Sequence, residues 1–415
     1  MTSRAASLPV MDVVGPRRTD GAASIGKGKR ALWALLLISL LIPLASEPAA
    51  GETVSSQAYT IPSTIDGTGT VDTTADLLAF FASVPDGTTG APSVVSPPGP
   101  ALKYRIDGTL ALKNRNHMVF NGRGALFDGG QVAYPWGTPV PVAARTRSQW
   151  SFGRGSDIAL RDMTIKGANP KAGISDAAYR ASLEAQHGMQ FVGVAGVEVA
   201  GVTVNDPYGD FVYLGPSVLP SFRLTSDVRI HDNRFERNGR QGIAFTGATD
   251  VTIERNYIAQ VRRTIFDLEP NLTAGEVRRV TIRDNDIGPT RFAVFAANGN
   301  VNAPMSDIVM DGNRLLHQGL EGGIHAFGVR RGPFTFTNNS ATTGPGEGVG
   351  NPVGGVLNFR RIDGVHVHGN TQQVQPNRNM YFVSVMYSCG VDISGNTVIN
   401  GPECKTDAYE DSAAC

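Results

Sequence analysis

The chain has 415 residues, and its 37 basic and 37 acidic side chains leave a formal net charge of zero. That balance argues against an electrostatic nucleic-acid footprint, which needs a basic surplus. Cys389, Cys404 and Cys415 are the three cysteines; their spacing matches no zinc site, and in an exported chain one disulfide plus an odd thiol fits them.

Residues 1–50 read as an extension carrying an export signal. Lys27, Lys29 and Arg30 precede the apolar run from Ala31 to Ile42, and Pro43 and small residues lead on to Gly51. A basic flank, a short apolar core and a small-residue exit describe a secretory signal or a signal-anchor. The core is shorter than the roughly 20 residues a membrane span needs. The expected location is secreted or attached to the cell envelope.

Residues 51–116 form a cap segment. Asp72-Thr73-Thr74 offers helix-capping side chains, and Leu77, Leu78, Phe80 and Phe81 follow at helical spacing. Pro85-Asp86-Gly87 ends that helix. A short amphipathic helix here is expected to plug the open end of the repeat that follows, over residues 117–400, with 401–415 as a tail.

The repeat is one phrase, apolar–x–apolar–x–x–Asn, written seven times. It runs from Val228-x-Ile230-x-x-Asn233 to Val391-x-Ile393-x-x-Asn396, with Asn256, Asn285, Asn313, Asn339 and Asn370 between. Successive asparagines are 23, 29, 28, 26, 31 and 26 residues apart, the period of a solenoid. Each phrase holds a half-buried strand, and a second apolar strand follows it. The predicted coil is strand, Asn turn, strand, loop. Asn tolerates left-handed backbone angles, and its amide is placed to bond the same Asn one coil away. Weaker copies at Ile158–Met163 and Val197–Val202 put an apolar residue where Asn would be. The fold class is all-β: a single-stranded right-handed parallel β-helix of about ten coils, roughly 48 Å of stacked sheet, with an N-terminal capping helix.

The cap helix, Pro97-Pro98-Gly99 followed by Tyr104-Arg105-Ile106-Asp107-Gly108-Thr109-Leu110, and the Asn phrases resemble the pectin-lyase-like superfamily over roughly residues 60 to 400. The resemblance implies a carbohydrate-handling protein with its cleft along one sheet. Subfamily signatures are lacking. Asn205-Asp206-Pro207 is a distant echo of the polygalacturonase Asn-Thr-Asp, but no Asp-Asp pair or Gly-His-Gly exists, and Arg361-Ile362-Asp363 lacks the expected lysine. The epimerase Asp-Pro-His-Asp and the pectate-lyase Trp-Ile-Asp-His are absent as well.

Chemistry is best placed at Phe266-Asp267-Leu268-Glu269. With Phe266 and Leu268 inward, both carboxylates leave the outer face, their α-carbons about 6.5 to 7 Å apart. Such a pair suits acid/base cleavage of a glycosidic bond, and mutual repulsion raises one pKa as a general acid requires. It also suits Ca²⁺, the one metal for which Asp267 and Glu269 are candidates. Stacking adds neighbours: Asp210 and His325 as further catalytic candidates, and His187, Arg240, Gln241, Arg263 and Arg360 as substrate-binding ones. Each has a plain structural alternative, such as a turn cap for His187 or Asp210 and an inter-coil ion pair for Arg240. Tyr179, Tyr208 and Trp150 are candidates for stacking on sugars, and the Pro170–Gln186 and Thr342–Gly355 excursions for cleft walls. The expected partner is a polysaccharide or oligosaccharide, and no cofactor is required. Glycoside hydrolysis by the acid pair leads. The alternatives are a lyase or uronate epimerase using Arg240, Arg263 or His187, with Ca²⁺ on the carboxylates, and a non-catalytic glycan-binding adhesin.

Overall fold

Asparagines at one corner join the coils in the computed structural model of the chain. The structure describes residues 55–300, 302–316, 320–341, 355–373 and 381–399. The export segment, almost all of the Thr342–Gly355 stretch, the tail, Cys404 and Cys415 lie outside them. Cys389 is disulfide-bonded. No helix among the described residues is long and apolar enough to cross a membrane.

Each ladder Asn donates its side-chain amide to the Oδ1 of the next, at 2.9 Å in all six steps from Asn233 to Asn396. The same amide also donates to a backbone carbonyl one coil back, as Asn285 does to Ile253 at 3.0 Å. The expected ladder is present, with one correction. The left-handed residue is the one before each Asn: Asp232, Arg255, Asp284, Gly312, Asn338, Gly369 and Gly395 all have φ between 54° and 64°. Asn is selected here for its amide, and its predecessor makes the corner. Met163 and Val202 fill the ladder position in the earlier coils and are buried.

The strands pair in parallel and in register, so like stacks on like. Val197, Val228, Val251, Val280, Ile308, Phe334, Val365 and Val391 form one continuous inward column. A coil has three strands, one more than expected. The addition follows directly on the Asn, as in Arg234–Glu236 and Tyr257–Ala259, and turns the solenoid a second time before the loop. Three residues are too few to show a period in sequence.

The third strand of each coil belongs to a separate ten-stranded parallel sheet. It runs from Leu110–Lys113 through Val212–Gly215, Ile243–Phe245, Thr264–Leu268, Ala293–Ala297 and Gly322–His325 to Tyr381–Met386. The stack begins before residue 117: Gln57–Thr60 and Ser93–Ser96 already pair in it. The helix Thr74–Ser83 closes that end. Asp72 Oδ1 accepts the Thr74 N–H at 3.1 Å, and the buried Phe81 stacks on Trp150 with centroids 5.8 Å apart. Trp150 and Tyr208 are core residues, only 1% and 3% exposed, which corrects their reading as sugar platforms.

Candidate functional site

The outer face of the ten-stranded sheet is laid out in lanes by register. One lane runs Tyr213, Ala244, Asp267, Ala296, Gly323, Asn358, one residue per coil. Phe266 and Leu268 point into the core, so Asp267 points out, and its neighbours on both sides are alanines. Asp267 is the one acid in this lane and stands among its small residues, Ala244, Ala296 and Gly323. It is nevertheless only 5% exposed, because the residues entering the strand one coil earlier fold over it.

Gln241 is the first of these. Its Oε1 accepts the Thr264 backbone N–H at 2.7 Å, and its Nε2 donates to Asp267 Oδ2 at 2.7 Å. The backbone donor fixes the amide orientation, so Oδ2 of Asp267 is an acceptor and any proton on this carboxyl belongs to Oδ1. Burial, then the charge of Glu269, pushes the Asp267 pKa up to about 7; Arg240 pulls the other way.

Arg240 is the hub. Its Nη1 donates to both oxygens of Asp210, at 3.1 and 3.0 Å, and its Nη2 lies 3.7 Å from Glu269. Glu184 approaches its Nε at 3.5 Å. Asp210 holds its guanidinium firmly charged. Asp210 also accepts the Gln241 backbone N–H at 2.9 Å, and its own backbone N–H donates to His187 Nδ1 at 3.1 Å. Burial alone would raise the Asp210 pKa, but the charge of Arg240 and the hydrogen bonds it accepts bring it below the usual carboxylate range.

Asp210 was expected to point outward as a catalytic group. It is 0% exposed, and its geometry makes it the buried counter-ion of Arg240. His187, also buried, stacks on Tyr213 with centroids 4.8 Å apart. Arg263 reaches the rim: its guanidinium lies 5.3 Å over the ring of Tyr179, whose hydroxyl donates to Glu184 at 2.8 Å. Tyr179 and Glu184 both come from the Pro170–Gln186 excursion, which does wall the site.

His325 does not join this group. Gly323 occupies the Asp267 lane, so His325 is two coils further on and two residues further along, about 12 Å away. Burial and the charge of Arg360 push its pKa down. Arg360 pairs in register with His325, one coil further on. It lies over Phe327 and Tyr387, beside a recess shared with Arg330 and Arg361. The site thus unites His187, Asp210, Arg240, Gln241, Asp267 and Glu269, has Arg263 at its rim and excludes His325 and Arg360. Tyr213, Glu184 and the alanines 244 and 296 have no role assigned from the sequence; strand register brings in Tyr213 and the alanines, and the 170–186 excursion brings in Glu184.

No family model matches the chain, and no curated protein matches it in sequence. Solved structures match its fold. A family 28 exopolygalacturonase from Yersinia enterocolitica is 13% identical, with a TM-score of 0.54 over 85% of this chain and 79% of that one. The pre-mature bacteriophage phi29 gene product 12 is 13% identical, with a TM-score of 0.50 over 83% of this chain and 51% of that one. An endo-xylogalacturonan hydrolase from Aspergillus tubingensis is 11% identical, with a TM-score of 0.49 over 85% and 99%. Identities this low speak to fold alone. By its stacked parallel sheets, Asn ladder and helix cap, the chain is a right-handed parallel β-helix protein with the pectin-lyase-like fold.

Proposed function

We propose that the chain is an exported carbohydrate-active enzyme that cleaves a polysaccharide along its ten-stranded sheet, with Asp267 as general acid and Glu269 as the base or nucleophile. The observation that carries this reading is the unequal environment of two acids, one on the strand Thr264–Leu268 and one immediately after it. Asp267 is buried, hydrogen-bonded by Gln241 and held protonated up to about pH 7, whereas the Glu269 side chain is 39% exposed. Two carboxyls whose surroundings separate their protonation states are what glycoside cleavage uses. Arg240, charged and anchored, lies 3.7 Å from Glu269, where it can bind a sugar hydroxyl or acid group. The alanine and glycine lane leaves room for the chain to lie along the stack. The likeness to an exopolygalacturonase adds a precedent for glycan cleavage on this fold.

The hydrogen-bond donors around the acid pair favour hydrolysis over a calcium-assisted elimination. Gln241 already donates an N–H to Asp267, and the Arg240 guanidinium lies 3.7 Å from Glu269, so the positive partner of the pair is a guanidinium. The readings separate by product. Cleavage that releases reducing ends without a new double bond, and that survives a chelator, supports hydrolysis. Growth of double-bond absorbance that the chelator abolishes would move the assignment to a lyase. Glu269→Gln is expected to lower turnover at least about 100-fold. Full glycan binding with no product from any substrate would identify a binding protein.

A further inference from the structure

A second cluster of chemistry lies on another face, near the C-terminal end of the described solenoid. Strand Asp363–His368 turns Val365 and Val367 fully into the core, so His366 and His368 leave its outer side together. Their α-carbons are about 6.6 Å apart at the spacing of a strand. On the next coil, Asp392 stands opposite His366 and Ser394 opposite His368. One ring nitrogen from each histidine and one oxygen of Asp392 lie within 4.8 Å of one another.

We propose that His366, His368 and Asp392 bind a divalent transition-metal ion of the zinc type, which ties the last described coil to the one before it. Two imidazoles and a carboxylate are a borderline-soft donor set that suits zinc, with water completing the shell. Zinc bonds of about 2.0–2.1 Å need donor atoms roughly 3.3 Å apart, within reach of small side-chain rotations at this half-exposed place.

The hydrogen bonding of His368 is the second observation. Its Nδ1 is 2.8 Å from the Ser394 hydroxyl, while its Nε2 faces Asp392 at 3.4 Å. Either ring nitrogen can carry the proton here; in the tautomer with the proton on Nδ1 the ring donates to Ser394 and leaves its Nε2 lone pair for a cation held between it and Asp392, with Ser394 as the outer partner that fixes the tautomer. The His366 ring lies alongside, its plane 24° from that of His368.

The position gives the metal a task. Val365 and Val367 are fully buried, but Val391 and Ile393 on the last described coil are only half-buried. The N-terminal end of the stack has a helix over it; here the packing thins, and a cross-strand metal link holds where apolar burial holds least. The cluster is remote in register from Asp267, so its test is independent of the proposed glycan chemistry.

The experiment is zinc titration of the full, chelator-stripped chain by calorimetry, with unfolding temperature read in parallel. The expected result is one zinc per chain and a raised unfolding temperature, both lost in the His366→Gln/His368→Gln double variant. Ser394→Ala is expected to weaken binding about tenfold while the fold is kept. No binding by the wild type at about 100 µM zinc overturns the proposal, as does binding undiminished in a double variant with a native circular-dichroism spectrum. Should the double variant fail to fold, Ser394→Ala decides: weakened binding supports the site, and unchanged binding overturns it.

Discussion

Asp267 trades stability for chemistry. Its folded pKa is raised from the ordinary 3.8 to about 7, so the fold favours the neutral carboxyl. The stability linked to that preference is full below the unfolded pKa and is lost as pH rises through about 7. Asp267→Asn imitates the neutral form, with its Oδ1 free to accept from Gln241. The variant is expected to match the wild type near pH 4 and to exceed it by on the order of 3 kcal/mol at pH 8, measured by denaturant unfolding at both pH values. Equal stability at pH 8 would mean that Asp267 is solvated. At this scale the sequence was partly legible. Alternation put Asp267 and Glu269 on the outer face and marked Arg240 and Gln241 as their neighbours. Alternation cannot say what covers a face, however, and so Asp210 read as an exposed acid although Arg240 and His187 bury it. It also cannot fix the offset of a lane, so His325 reads as a neighbour of Asp267 although about 12 Å separates them.

The element that sets those lanes is the Asn ladder. Asn285 shares hydrogen bonds with Asn256, Asn313 and the Ile253 carbonyl, all buried. Asn285→Ala strands donors and acceptors on both neighbouring coils and is expected to cost about 3 kcal/mol or more in chemical denaturation. Asn396, half-buried at the end of the described ladder, should cost less when replaced by Ala. The ladder was legible because one residue type must recur where one geometry recurs. The left-handed residue ahead of each Asn was not, since Asp, Arg, Asn and Gly all serve there and no single letter repeats. The short second strand escaped for the same kind of reason: two or three residues carry no measurable period. His366-x-His368 is a visible pair in the sequence, but Asp392 becomes its third member only through the register that Val365 and Val391 impose.

Across the whole molecule, a solenoid has two open ends and must protect each. At the first, the helix Thr74–Ser83 buries Leu77 and lays Phe81 against Phe120 and Trp150. Phe81→Ala is expected to lower stability by about 3–5 kcal/mol and, by loosening the cap over the strand edges, to promote self-association visible in light scattering. Fold class and cap could be read in advance because they rest on repetition and amphipathic spacing, which a single chain displays; the two earliest strands of the stack could not, since they lack the repeated phrase. The function could not, since the same fold serves a polygalacturonase and a phage protein. What distinguishes this chain is a break in its own repeat, a buried acid among alanines. Measuring the release of reducing ends from a panel of polysaccharides against pH, for the wild type and Asp267→Asn, tests that claim most directly. The expected result is release that declines as pH rises through about 7 and a loss of at least about 100-fold in the variant. Turnover that is indifferent to Asp267→Asn, or that climbs steadily above pH 7, would contradict it.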